Sequence, residues 1–97
     1  MPSADELPTR VKRALEEIVR YMVFQPDAKD TAQGIHDWWL PASNNECTLS
    51  EVEQAVENLA RWGWLTEQRL ADQTVVYGPS QEGLQKGVLY LKSPRTD

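Results

Sequence analysis

From Leu7 to Phe24 the apolar residues Val11, Ala14, Leu15, Ile18 and Met22 recur at three- and four-residue steps. That spacing keeps one face of a helix out of water and predicts a first helix from about residue 6 to 24. Pro8 fits its first turn, Asp5 or the Ser3 to Glu6 stretch can supply the cap, and Pro26 closes it. A shorter helix is expected from Asp30 or Thr31, both good N-caps, through Ala32, Ile35, Trp38, Trp39 and Leu40 to Pro41. Adjacent helical residues diverge by about 100°, so Trp38 and Trp39 cannot both face one neighbour and one of them belongs at a rim. Residues 41 to 47 read as a surface loop.

Thr48-Leu49-Ser50-Glu51 is a capping box that opens a third helix. Its buried stripe is Leu49, Val52, Val56, Leu59 and Ala60, with Ala55 beside it, and Gly63 stands where a left-handed residue ends the helix. Trp64 can then fold back on Leu59 or Ala60. Two β-branched and aromatic segments, 64 to 70 and 74 to 78, flank Ala71-Asp72-Gln73 and predict a hairpin. Pro79-Ser80 introduces a last helix with Leu84, Val88 and Leu91 at helical spacing despite Gly83 and Gly87; residues 93 to 97 should fray. The expected class is mainly α with a small β-hairpin, an α+β chain.

With 97 residues, these elements fit one domain with its core between about 8 and 91. Hydrophobic residues at 40% and charged residues at 26% fit a folded soluble domain, and no run approaches the roughly 18 apolar residues of a spanning helix. The start of the chain lacks the basic and apolar pattern of an export signal, and the single Cys47 cannot form an internal disulfide, so the cytoplasm is the expected setting.

Three helices, a hairpin entered directly from the third, and a closing helix resemble the winged-helix form of the helix-turn-helix fold. The resemblance is carried by Val52, Ala55, Val56 and Leu59, then Gly63-Trp64-Leu65 leading into the hairpin and Val75-Tyr77 returning. It implies that the third helix is a recognition helix and the hairpin a wing. The connection of about seven residues before that helix is longer than the 3 to 4 residues of the compact motif.

The resemblance implies DNA as a target, and Gln54, Asn58 and Arg61, on one side of the third helix, are the candidate base-reading residues, with Arg69 at the base of the wing. Charge points elsewhere. The net charge is -5, Glu51, Glu53 and Glu57 share the outward face with Arg61, and the hairpin tip carries Asp72. Carboxylates there repel phosphates, whereas duplex binding draws its nonspecific energy from Lys and Arg. The basic residues Arg10, Lys12, Arg13, Lys86, Lys92 and Arg95 lie outside that helix. The leading expectation is therefore a non-catalytic module for a protein partner or self-association, with DNA binding as the alternative. Trp38, Trp39 and Trp62 are the candidate interface anchors, because exposed aromatic rings dominate contacts, and the last helix is a candidate dimerisation element.

No catalytic, cofactor or metal site is expected. His36 adjoins Asp37, but neighbouring helical residues diverge, and no nucleophile or oxyanion donor accompanies them. Cys47 and His36 fall short of the four ligands of a structural zinc, and no phosphate-binding glycine motif occurs.

Overall fold

A computed structural model describes residues 7 to 40 and 47 to 92. The order is α1 (Thr9–Phe24), α2 (Ala32–Gly34) continued by a π-helical turn (Ile35–Trp39), α3 (Leu49–Arg61), β1 (Leu65–Arg69), β2 (Val75–Pro79) and α4 (Gln81–Lys92). The class is α+β, mostly helical, as the periodicity predicts. The proposed first cap at residues 3 to 6, most of the 41 to 47 loop, and the expected fraying at 93 to 97 lie outside the described residues.

Helix α1 begins after Pro8, without a side-chain cap, and buries all five residues of the predicted stripe together with Val19. It packs on α3 and α4. The second helix departs from expectation. Thr31 caps it by accepting from the Gly34 amide at 3.1 Å, but the chain then widens into the π-turn. A wider turn advances by a smaller angle per residue, so positions four apart align better than positions three apart. Ile35 and Trp39 therefore both enter the core, and Trp38 is thrown outward. Trp39 stacks on Tyr21 with ring centroids 4.7 Å apart.

Helix α3 buries Val52, Ala55, Val56 and Leu59 of its predicted stripe, while Leu49 and Ala60 at its two ends are only half-buried. The Glu51 amide donates to Thr48 Oγ1 at 3.1 Å and the Thr48 amide to Glu51 Oε1 at 2.9 Å, closing the capping box. At the other end Gly63 has φ of 83°, and two bonds finish the helix: Gly63 N to Ala60 O at 3.1 Å and Trp64 N to Leu59 O at 2.9 Å. This paired closure needs the left-handed residue that glycine supplies without strain. It turns Trp64 back into the core over the Leu59 turn, where it meets Trp62 and Tyr90 edge-on.

Strands β1 and β2 pair antiparallel with Leu65 opposite Pro79 and Arg69 opposite Val75. The tip closes through Gln73 N to Leu70 O at 3.0 Å and Leu70 N to Thr74 O at 2.7 Å, with Gln73 at φ 76°. That is the three-residue hairpin form, a tight turn followed by one left-handed residue. A contact invisible in the periodicity closes the sheet on its far side, where Asp30 and Tyr77 exchange backbone bonds of 3.0 and 2.7 Å.

The buried line of α4 is also different from the expected Leu84, Val88 and Leu91, which are only half-buried. Gly83 and Gly87 are its fully buried residues. Gly83 lies against the Trp64 backbone, where a methyl group would collide with the carbonyl, and Gly87 lies against Val19, Met22 and Val23 of α1. Tyr90 Oη donates to Glu16 Oε2 at 3.2 Å, so α4 runs antiparallel to α1. Large side chains beside the glycines stay at the flank because the α4 backbone already rests on the Trp64 backbone at Gly83 and on α1 side chains at Gly87.

Candidate interaction surface

The outward side of α3 and the face of β1 next to it form one continuous surface. Helix packing on β1 buries Leu65 at the strand's base, and beyond it Thr66 to Arg69 are all exposed. Between helix and strand lies a shallow groove of about 400 Å³ lined by Glu57, Ala60, Arg61, Leu65 and Glu67.

Charge on this surface is mainly negative. Burial pushes the Tyr77 phenol above its ordinary range, and the carboxylates of Glu67, Glu57 and Glu53 push it further in the same direction. These three glutamates, two from α3 and one from β1, thus act on one point of the sheet. Glu51, the remaining carboxylate of the expected outward face, is occupied in the capping box. Arg61 is the cation lining the groove.

The candidate DNA-reading residues are not equivalent. Gln54 and Arg61 are exposed on α3, but Asn58 is half-buried and donates its side-chain amide to Gln54 O at 2.8 Å. That bond to its own helix takes the group that would read a base edge. Arg69 is not at the base of the hairpin. The register places it at the tip end of β1, where its guanidinium lies 3.4 Å from Gln73 Oε1. Arg61 shares the groove with Leu65 and Glu67, while Arg69 stands further along β1, at its tip end.

The tryptophan candidates separate in the same way. Trp39 is 4% exposed and stacked on Tyr21, so the folded domain withholds it from any partner, against expectation. Trp62 is half-buried, its ring edge-on to Trp64 at 5.7 Å. Trp38 is 76% exposed and stands as the rim residue that the divergence of adjacent positions required.

His36 and Asp37 do meet, contrary to the sequence expectation: Nδ1 lies 2.8 Å from Asp37 Oδ1. The second ring nitrogen, Nε2, lies 3.0 Å from Cys47 O. A neutral imidazole can donate to one acceptor and a protonated one to both, so the Asp37 contact, aided by the Cys47 carbonyl, holds the His36 pKa above its ordinary value. The pair fastens the π-turn to the entry of α3, where Cys47 is buried. Among the described residues, no three His, Cys, Asp or Glu side chains are grouped to hold a metal ion, and no helix is long and apolar enough to cross a membrane.

Comparison of the chain with protein-family models, with curated proteins and with solved structures finds no match.

Proposed function

We propose that this chain is a winged-helix-type binding module without catalytic activity, which recognises a protein partner or a second copy of itself through the face formed by α3 and the hairpin. The order of elements and the direct passage from α3 through Gly63 and Trp64 into β1 support the winged-helix reading. The observation that carries the choice of partner is the convergence of Glu53, Glu57 and Glu67 on the sheet at Tyr77. A duplex approaching α3 brings two rows of phosphates towards those carboxylates and gains little counterion release in return. A protein surface bearing Lys or Arg gains where the duplex loses. The lone, buried Cys47 fits a reducing compartment and supports the cytoplasm as the proposed setting.

The test is a titration of a fluorescent random-sequence duplex at about 50 mM salt, where nonspecific contacts are strongest. No anisotropy change is expected up to about 10⁻⁴ M protein. Binding tighter than about 10⁻⁵ M that falls steeply with salt overturns the reading in favour of DNA binding through a basic surface assembled from distant residues. A self-association contact away from that face would be anchored by Trp38, exposed on the π-turn. Sedimentation equilibrium of Trp38→Ala should then show weaker association than the natural chain, and an unchanged constant removes Trp38 from the interface.

A further inference from the structure

We propose that the open edge of β1, together with the groove it shares with α3, takes up an extended segment of a partner protein as a third strand, the segment carrying Lys or Arg among apolar residues. This rests on the reading of the module as a protein binder and names the mode and chemistry of the partner.

The sheet has two strands, and its edges differ. On the β2 side, Tyr77 turns its N–H and C=O away from β1 and exchanges them with Asp30. In an antiparallel ladder, directly opposed residues turn their backbone groups both inward or both outward. Glu67 is the partner of Tyr77, so its N–H and C=O point away from β2, and the two-residue period repeats this at Arg69. Among the described residues no backbone bond takes those groups, which form the open edge of β1. A row of outward donors and acceptors is a template for strand addition. The exposure of four consecutive residues, Thr66 to Arg69, leaves room along that edge.

The groove selects what the added strand carries. Ala60 and Leu65 give it an apolar floor, and Glu57 and Glu67 set two carboxylates against the single guanidinium of Arg61, so its lining is net negative. Side chains of a strand alternate between faces. A segment seated on β1 thus presents every second residue to the groove, one apolar over Ala60 and Leu65 and the next cationic towards Glu57 and Glu67. Its other face remains in water and is unconstrained. An acidic segment would bring like charges together, which costs association.

The experiment uses the whole chain, ¹⁵N-labelled, titrated with a ten-residue synthetic Lys-Val peptide, Ser-Val-Ser-Lys-Ser-Val-Ser-Lys-Ser-Val, whose valines and lysines alternate along one face of a strand, and with its Glu-Val counterpart carrying glutamate in place of lysine. The Glu67 and Arg69 amides should shift and exchange more slowly with solvent. A peptide N-methylated at its central amides keeps its charge but cannot extend the ladder and should bind about tenfold more weakly. Glu67→Gln, an exposed substitution whose spectrum checks the fold, should weaken the Lys-Val peptide about tenfold, and a Glu-Val peptide should not bind. Perturbation confined to other surfaces, equal binding of the N-methylated peptide, or equal binding of the Glu-Val peptide overturns this inference and leaves the module a protein binder by another route. Duplex binding in the preceding test instead overturns the reading beneath it.

Discussion

Helices α3 and α4 look alike as patterns, each with apolar residues at three- and four-residue steps, yet they join the core by different physics. Helix α3 buries Val52, Ala55, Val56 and Leu59, and its backbone stands off from α1 by the length of those side chains. Helix α4 buries Gly83 and Gly87 and brings its backbone against Trp64 and α1 directly. The first attachment is a matter of volume and hydrophobic area, the second of the absence of a Cβ. A periodic stripe of leucines therefore identifies a helix more surely than it identifies the buried side of that helix.

The contrast can be broken by substitutions of opposite kind, read by urea unfolding. Leu59→Ala opens a cavity under α3 and should cost about 2–5 kcal/mol, the range for truncating a buried leucine. Gly83→Ala adds one methyl group where the Trp64 carbonyl stands and should cost about 2–3 kcal/mol, although alanine favours a helix by about 1 kcal/mol over glycine. If Gly83→Ala is neutral or stabilising, α4 does not rest on that backbone contact. At Gly87 an added Cβ meets only side chains, Val23 at 3.1 Å and Val19 at 3.2 Å, which can move. Gly87→Ala should accordingly lose less than about 1 kcal/mol, with the helix preference offsetting the squeeze, and a loss as large as that at Gly83 would make the two glycines equivalent.

The smallest effect concerns how each helix begins. Ser80 Oγ accepts from the Gly83 amide at 2.8 Å at the start of α4, a bond insensitive to pH near neutrality. The approach to α3 is tied by His36, whose pKa is held above the ordinary 6.5 chiefly by Asp37. A raised folded-state pKa means that the contribution is complete below the unfolded value and is lost as pH rises through the folded one. Stability should fall slightly from pH 6.5 upward as His36 loses its proton, with faster exchange near Cys47 and no matching change at Gly83. Asp37→Asn should return the imidazole titration, followed by NMR, towards 6.5; an unmoved titration would mean that Asp37 is not the cause.

Most of α3 was legible because its signals are local: Thr48 and Glu51 stand three apart, and Gly63 directly precedes the tryptophan it turns. The hairpin was legible for the same reason, although its extent placed Arg69 at the wrong end. What could not be read depends on partners distant in sequence. Trp39 is withheld by Tyr21, the buried side of α4 is decided by the Trp64 carbonyl, and the Asp30 bridge needs Tyr77. The same holds for the surface. The outward glutamates of α3 were evident from spacing, but Glu67 joins them only through the fold, and the engagement of Asn58 with Gln54 O leaves no trace in composition.

The two ends of the hairpin are clamped where it leaves and rejoins the domain: Ser80 N donates to Trp64 O at 3.0 Å, and Ser80 Oγ donates to Gly63 O at 2.6 Å. Beyond Tyr77, which Asp30 also holds, the hairpin is an excursion from a fixed doorway, so the length of its tip is decoupled from the packing of the helices. Doubling a flexible loop costs only about 0.6 kcal/mol in closure entropy. Insertions at Ala71 to Gln73 should therefore be accepted with little loss, and the span of the exposed strand becomes a property that evolution or an engineer can lengthen, shorten or re-sequence while the core beneath it stays unchanged.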